Sequence, residues 1–404
     1  MDLIAHPESN CLFAGTFDES MADAGAHTVD ASRLTQGTRI AVAFSESVVR
    51  PCMDFETYSE AGFTIDPVTG KVRGTGSQGK GGLGVVGTPS YAEHPSTEVL
   101  CLYYNLKDGR GVRGWIPGSP LPVDLLNHIT NGGEISAFNF TFEWYIWNMV
   151  CTRRYGFPPM QLEQGFCSMA KARRYSLPGK LATLAKVLGT PQKDQDGGRL
   201  LNKLSRPVSA TSKRKQPRWT IATAYDDYMR LFSYCHDDTV AEDGATALIP
   251  ELTEQERAVW LLDQRINARG VQVDTEALAC CLKLLETMHD AYTIQLVNIT
   301  QGRVGSVSET AKFLEWLASC GAHLPDLRAE TVTEWLESDR LPQDARAALQ
   351  IRAILGGANV KKLPTLMRQV SSDGRLRDQY MYCGADRTGR FSAGGVQLQN
   401  LTAK

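Results

Sequence analysis

Two carboxylates occupy alternate positions of a short apolar run, Asp54 and Glu56 in VRPCMDFETYSEAG. Side chains of a strand alternate between its two faces, so we expect these acids to point one way and Met53 and Phe55 to point to the buried side. Two carboxylates about 4 Å apart repel by roughly 4 kcal/mol at an effective dielectric constant near 20. A bound cation or exposure to water would relieve that repulsion. The pair therefore predicts an oxygen-ligated Mg²⁺ or Mn²⁺ site, or else two solvated acids at a strand end.

Two further pairs of polar residues have helical spacing. Asn139 and Glu143 lie four apart at the start of a predicted helix. Tyr234 and Asp238 lie four apart on the flank of a longer amphipathic helix. Residues four apart share one helix face. Each pair alone has a structural explanation, because acids are common in first turns and near helix ends. The three patterns in one domain are much more specific.

Up to about residue 250, the elements that must position these residues alternate between strands and helices. Predicted strands are Arg39–Phe44, Val48–Phe55, Thr97–Leu106 and Glu134–Phe138. Predicted helices are Val123–Thr130, one from about Asn139, one over 160–189 with a break at Pro178-Gly179, and Ile221–Glu242. The Gly-rich stretch Asp66–Gly87 is predicted to be a long exposed loop. This alternation indicates an α/β domain.

Beyond Pro250 the pattern is almost wholly helical. Capping boxes are predicted at Thr253–Glu256 and Ser306–Glu309, a helix cap at Asp274, and helix stops at Gly270 and Gly321. Further helices fit Thr331–Ser338 and Gln343–Leu355. The segment Gln379–Leu401 changes to short strands and glycines, with Met381 and Tyr382 in one predicted strand and Val396 and Leu398 in the other.

Composition is that of a globular protein, with 404 residues, 42% hydrophobic residues and a formal net charge of −2. No apolar run is long enough to cross a membrane, and the N-terminus lacks the features of a signal peptide. The ten cysteines form no C-x-x-C pair, so we expect reduced thiols in a cytoplasmic protein and no zinc site.

Charge is unevenly distributed along the chain. The segment Arg199–Arg218 carries seven cations and no acid. It is either a solvated loop or a hairpin that contacts phosphates beside an active site.

The order of these motifs resembles the DEDD superfamily of 3′→5′ exonucleases, in its tyrosine-bearing branch. More narrowly, residues 38–404 resemble the N-terminal part of a phage-type family A DNA polymerase. The stretches that carry this likeness are MDFETYS, YAEHPSTEVLCL, ISAFNFTFEWYIWN, KLSRP, YCHDD, LDQRINARGVQVD and DRTGRFSAGGVQLQNL. The last of them, Asp386–Leu401, is similar to the polymerase motif at the entry to the palm.

The resemblance implies a division of the chain. Residues 39–250 would form the exonuclease domain, a ribonuclease H-like mixed sheet with flanking helices. Residues 251–378 would form a mainly helical thumb-like region, and residues 379–404 the incomplete start of a palm. Residues 1–38 lie outside the resemblance; they are small and polar with little periodicity, and we expect them to form a flexible N-terminal arm.

The resemblance also implies a two-metal site with Mg²⁺ or Mn²⁺. Asp54, Glu56 and Asp238 would hold the ion that activates water, and Asp54 would bridge to a second ion that Glu143 reaches. Tyr234 would orient the attacking water. Contacts to DNA are expected from Asn139, Lys213, Arg214, Lys215, Arg387 and Arg390.

Two departures from the family pattern qualify the expected function. Glu143 stands where most of the superfamily has Asp, so we expect activity with a slightly different metal distance. The sequence ends before any likeness to the palm carboxylates or the fingers helix.

We therefore expect a proofreading exonuclease that removes nucleotides from single-stranded or frayed 3′ DNA ends. It would also bind primer–template duplex, and it would polymerise only with a second chain that carries palm and fingers. If phage-encoded, it would act in the host cytoplasm. The alternatives are a ribonuclease D-like exonuclease on RNA and a non-catalytic DNA-holding subunit.

Overall fold

The structure, a computed structural model, describes residues 48–190, 197–212, 214–385 and 388–401. The predicted N-terminal arm and the strand predicted at Arg39–Phe44 lie outside the described residues. Lys213 and Arg387 also lie outside them.

Strands and helices alternate in the first part of the chain, as predicted. The elements are β1 (Cys52–Tyr58), β2 (Phe63–Ile65), β3 (Val72–Gly74), α1 (Leu83–Glu93), β4 (Glu98–Asn105), β5 (Arg113–Trp115), α2 (Val123–Thr130), β6 (Ile135–Ala137), α3 (Phe140–Tyr145), α4 (Thr152–Tyr155), β7 (Gly165–Cys167), α5 (Ser168–Arg174), α6 (Leu181–Leu188), α7 (Gly197–Leu204) and α8 (Tyr225–Thr246). A π-helical turn, Ile146–Cys151, joins α3 to α4.

The second part is mainly helical. Its elements are α9 (Glu254–Arg269), β8 (Val271–Gln272), α10 (Thr275–Ile299), α11 (Thr310–Ser319), α12 (Ala329–Glu337), α13 (Gln343–Gly356), α14 (Ala358–Gln369), β9 (Arg375–Leu376), β10 (Tyr380–Ala385) and β11 (Arg390–Ala393). None of the described helices is long and apolar enough to cross a membrane.

A mixed five-stranded sheet in the order β5-β4-β1-β6-β7 organises the first part. Strand β4 pairs antiparallel with β1 and β5, whereas β6 runs parallel to β1 and β7. Helices flank this sheet, and a mainly helical region follows it. The predicted fold class, a ribonuclease H-like mixed sheet followed by helices, is confirmed. Strand β1, which carries Asp54 and Glu56, is the central strand.

The two faces of β1 have different neighbours. Met53 and Phe55 lie in the main hydrophobic core, where the Phe55 ring meets Trp147 edge-to-face at 6.4 Å. Helix α8 packs along the other side, and its Leu231 and Tyr234 share a cluster with Tyr58. The period of two therefore separates the acids from the core residues, as the sequence predicts.

The stretch Asp66–Gly87 is not one loop, so that prediction is wrong. Strands β2 and β3 form a hairpin, and α1 begins at Leu83. The Asp66 Oδ1 atom accepts hydrogen bonds from the Val68 and Thr69 amides, at 2.9 and 2.8 Å. This Asx turn reverses the chain and closes the hairpin.

Three smaller predictions are also wrong. The helix predicted over 160–189 contains the three-residue strand β7, which is too short to show a periodicity. The capping box predicted at Ser306–Glu309 does not form, because the Glu309 Oε2 atom accepts from the Gly305 amide instead. Helix α11 begins at Thr310. The second strand of the C-terminal hairpin is β11 and does not include Val396 or Leu398.

The helical region has a hydrophobic cluster of its own, which includes Leu296, Phe313 and Leu349. The predicted helix starts at Thr253 and Asp274 are confirmed, since Thr253 accepts from the Glu256 amide and Asp274 accepts from the Ala277 amide. The capping box predicted at Thr253–Glu256 is only half formed, because the Glu256 carboxylate pairs with Arg174 and accepts from the Tyr382 hydroxyl. Strands β8 and β9 pair with each other, so the chain enters and leaves helices α10–α14 side by side. Helix α9 packs on the sheet domain through Trp260. The domain boundaries at 250 and 378 stay a prediction.

Candidate functional site

Three of the predicted metal ligands meet in the structure. Asp54, Glu56 and Asp238 each place one carboxylate oxygen within 4.8 Å of the others. The two strand acids are half-buried, and Asp238 is buried on the face of α8 that packs against β1. Helix packing on the central strand therefore brings together acids that are far apart in the sequence.

Glu143, the fourth predicted ligand, is buried on α3 near this group. Burial raises the pKa of Glu143 well above its usual range, and the negative charge of Asp54 adds to that rise. Within the described part of the chain, its Oε2 atom is buried and has no hydrogen-bond partner. A buried carboxylate oxygen without a donor is costly, so this atom suits a cation or a proton.

Glu242 is a further buried carboxylate that the sequence analysis missed. It lies one helical turn beyond Asp238, and the Ser168 hydroxyl donates to its Oε1 atom at 2.7 Å. Burial raises the pKa of Glu242 to about 8, and Asp54 again contributes. The spacing of four from Asp238 was the available signal, because it places both acids on one helix face.

Cys235 contacts the same group and was also missed. Its buried thiol lies 3.3 Å from Asp54 Oδ2, within donating distance, and 3.5 Å from the Asp54 carbonyl oxygen. The contact restrains the Asp54 carboxylate on the side of α8. No sequence pattern links these residues, since the packing of α8 on β1 alone makes them neighbours.

Tyr234 is buried on α8, one turn before Asp238. Helix α7 begins against its ring at Gly197. A Cβ atom at Gly197 would lie 1.9 Å from the Tyr234 Cε2 atom, so only glycine fits there without a shift.

The donor set is chemically uniform. Every carboxylate in the group offers hard oxygen atoms, and Mg²⁺ and Mn²⁺ prefer such ligands. Several close negative charges raise one another's pKa, and a divalent cation would offset that repulsion. Asp54, Glu56 and Asp238, with Glu143 beside them, therefore fit a divalent metal site.

The predicted DNA contacts have mixed surroundings. Asn139, at the N-cap position of α3, is exposed, and so are Lys215 and Arg390. The Arg214 guanidinium instead donates to the Ser209 and Gln216 carbonyl oxygens and lies over the Trp219 ring at 4.3 Å. Arg214 thus has a structural role within its own segment.

Comparison with known proteins finds similarity to DNA polymerases. No protein-family model matches it. A DNA polymerase of Bacillus phage SP02 is 28% identical over 327 residues, which cover 78% of this chain and 48% of that protein. Among solved structures, the polymerase domain of Pol1 from M. smegmatis, in complex with DNA primer-template and dNTP, aligns with 15% identity and a TM-score of 0.42. That alignment covers 76% of this chain and 50% of that one. The chain is therefore similar in sequence to a phage DNA polymerase, and it spans about half the length of that relative.

Proposed function

We propose that this chain is a metal-dependent 3′→5′ exonuclease, the proofreading part of a family A DNA polymerase. Its substrate is a single-stranded or frayed 3′ DNA end. The convergence of Asp54, Glu56 and Asp238 within 4.8 Å carries the proposal. The relationship to a phage DNA polymerase supports DNA as the substrate.

Two bound divalent ions would supply a nucleophilic hydroxide and stabilise the leaving 3′-oxygen. Asp54, Glu56 and Asp238 would hold the first ion, and Asp54 and Glu143 the second. The Tyr234 hydroxyl orients the attacking water, and Asn139 contacts the terminal nucleotide.

Around this site, Cys235 restrains the Asp54 carboxylate through its thiol. The apolar residues beneath β1, Met53 and Phe55, hold the strand in place. A rigid second layer of this kind keeps the ligating oxygens in the geometry that the reaction needs.

Polymerisation would need more than the described residues. In this proposal residues 251–378 act as a thumb on primer–template duplex, and residues 379–404 lead into a palm, with Arg387 and Arg390 near phosphates. Palm carboxylates and fingers would have to join them, on the same polypeptide or on a second chain. Primer extension by a preparation that contains those parts tests this step.

The exonuclease itself is tested with 5′-labelled single-stranded DNA and RNA oligonucleotides and the full chain. We expect Mg²⁺-dependent shortening of DNA from the 3′ end, which chelator stops and Asp54→Ala abolishes. Asp237→Ala is the matched control, because Asp237 is an exposed acid on the same helix as Asp238.

The other outcomes point elsewhere. Undiminished shortening by Asp54→Ala would exclude the site. Shortening of RNA alone would favour a ribonuclease D-like enzyme. Tight DNA binding with no shortening in Mg²⁺ or Mn²⁺ would favour a DNA-holding subunit.

A further inference from the structure

Two basic segments that are distant in the sequence meet beside the candidate site. The first is the β2–β3 hairpin with the loop that follows it, residues 63–80. The second is the basic segment Arg199–Arg218. The Ala210 amide donates to the Gly70 carbonyl oxygen at 2.9 Å, and the Val72 amide donates to the Ser209 hydroxyl at 3.0 Å. The two segments therefore form one surface.

The basic segment is attached to the site at three places. Its helix α7 begins on the Tyr234 ring, at Gly197. The Ser59 amide, just after β1, donates to the Ser205 carbonyl oxygen at 3.1 Å. The Arg218 guanidinium lies over the Tyr58 ring at 4.0 Å. The surface thus extends outward from the strand and the helix that carry the carboxylates.

Apart from Arg199, the described cations of these segments fall into two groups. Lys203, Arg214 and Arg218 are engaged: Lys203 and Arg218 pair with Asp227 and Glu98, and Arg214 bonds to backbone carbonyl oxygens. The outer group is exposed, and none of its members forms an ion pair with another described residue, although the Arg206 Nε atom donates to the Asn202 carbonyl oxygen at 2.9 Å. We define the outer basic surface as Lys71, Arg73, Lys80, Arg206 and Lys215.

Asp66 lies close enough for the charge of Arg73 to help lower its pKa, but no described acid forms an ion pair with these five cations. Exposed cations without ion-pair partners suit a polyanion. Lys71 immediately precedes β3 and Arg73 lies in it, two positions on, so their side chains share one face of the hairpin. Single-stranded nucleic acids are gripped by such cationic grooves through their phosphates, with little dependence on base sequence.

We propose that the outer basic surface binds the phosphates of single-stranded DNA upstream of the 3′ terminus held at the carboxylates. This proposal rests on the proposed function. The hairpin then acts as part of the substrate site, so that long single strands bind more tightly than short ones. Lys203, Arg214 and Arg218, in contrast, hold this surface in place through their contacts within the protein.

The test measures DNA binding without cleavage. The full chain in chelator is titrated with fluorescent oligonucleotides of about 4 and about 16 nucleotides, which span the range of single-strand site sizes. Titrations are repeated over a series of salt concentrations. The variants are Lys71→Ala/Arg73→Ala and Arg206→Ala/Lys215→Ala. The matched control is Lys180→Ala/Lys186→Ala, which removes two exposed cations on and next to α6; that helix lies by the distal end of α8.

For the long oligonucleotide, each test pair should weaken binding and flatten the salt dependence, by about 0.7 in slope for each phosphate that is no longer neutralised. Binding of the short oligonucleotide should change little, and the control should behave as wild type. Lys71→Arg/Arg73→Lys should retain binding, because the charge is retained.

Contradictory results separate this proposal from the proposed function. If the protein shortens 3′ ends in Mg²⁺ but the Lys71→Ala/Arg73→Ala slope equals the wild-type slope, the outer basic surface does not bind the strand and the exonuclease stands. If the slope falls but no shortening occurs, the surface binds single strands and the exonuclease is wrong. A preference for single-stranded RNA over DNA of equal length would overturn the assignment of the ligand.

Discussion

At the scale of residues, the candidate site is a cluster of carboxylates that are buried or half-buried. Glu143 and Glu242 are both buried, and Asp54 contributes to raising the pKa of each. Such groups cost stability unless protons or cations neutralise them. The same arrangement that suits a metal site should therefore make the metal-free protein sensitive to pH.

Replacement of Glu143 distinguishes a metal ligand from a structural acid. Glu143→Asp should reduce exonuclease activity less than Glu143→Ala, because aspartate keeps the ligating oxygens and shortens their reach by one methylene. The measurement is the rate of shortening of a single-stranded oligonucleotide as a function of Mg²⁺ concentration. Equal loss in both variants would mean that Glu143 does not ligate a metal.

Glu242 should make stability depend on pH. Its pKa rises from 4.5 to about 8 on folding, so the folded state holds a proton that the unfolded state has released. The contribution of this proton to the free energy of unfolding is fully present below about pH 4.5, and it is lost as the pH rises through about 8. In chelator, the melting temperature should fall over that range less steeply in Glu242→Gln than in wild type.

The Glu242→Gln variant keeps an oxygen that can accept from Ser168, so it isolates the charge. Part of the pH dependence should remain in it, since burial also raises the pKa of Asp263 to about 7. Glu286→Gln, an exposed acid on α10, is the control and should follow wild type. Identical pH profiles for Glu242→Gln and wild type would contradict the assignment.

At the scale of elements, the site depends on how α7, α8 and β1 touch. Helix α8 supplies Tyr234, Cys235 and Asp238 from one flank. Helix α7 packs on that flank, and its first residue, Gly197, faces the tyrosine ring. A small change in this contact should move the Tyr234 hydroxyl and so change the rate of 3′ shortening.

Two adjacent glycines test this contact. Gly197→Ala would place a Cβ atom 1.9 Å from the Tyr234 ring, so the ring or the helix must move. Gly198→Ala meets nothing within 4 Å and is the matched control. We expect Gly197→Ala to lower the rate of 3′ shortening by at least about tenfold, equivalent to about 1.4 kcal/mol of activation free energy, and Gly198→Ala to leave it unchanged. Equal rates for the two variants would mean that α7 does not position Tyr234.

At the scale of the whole molecule, α9 joins the sheet domain to the C-terminal hairpin. Its Trp260 lies in the main core, and its buried Asn267 bonds to β10. The Asn267 side-chain Nδ2 atom donates to the Tyr380 carbonyl oxygen at 2.9 Å, and its Oδ1 atom accepts from the Tyr380 backbone amide at 3.0 Å. The Asn267 side chain thus makes the two hydrogen bonds to the Tyr380 backbone that a neighbouring strand would otherwise make with β10.

Loss of that side chain should loosen the hairpin. Asn267→Ala removes both bonds and leaves the partly buried backbone groups of Tyr380 without them, at a cost of up to about 3 kcal/mol for each. We expect faster hydrogen exchange across Tyr380–Ala385 and unchanged exchange in β1. Asn298→Ala, an exposed asparagine on α10, is the control. Unchanged exchange in β10 would show that other contacts hold the hairpin.

Local patterns determined much of this protein. The period of two in β1 fixed which side chains face the core, and the helical spacing of Tyr234 and Asp238 fixed their shared face. The bounds of α2 and the caps at Thr253 and Asp274 were also readable, because caps and stops act over a few residues. The mixed sheet followed by helices was predicted on the same grounds, together with the family resemblance.

Only the tertiary structure decided what depends on contacts between distant segments. The hairpin β2–β3 escaped prediction because each of its strands has only three residues, too few to show a period, although the Asx turn at Asp66 defines it. Strand β7 forms where three residues pair with β6, about 30 residues earlier in the chain. The thiol of Cys235 reaches Asp54 because α8 packs on β1, and burial, which no local pattern measures, gives Glu242 its raised pKa. Sequence spacing fixes which residues share a face of a helix or strand, whereas packing fixes which faces meet and how deeply their side chains are buried.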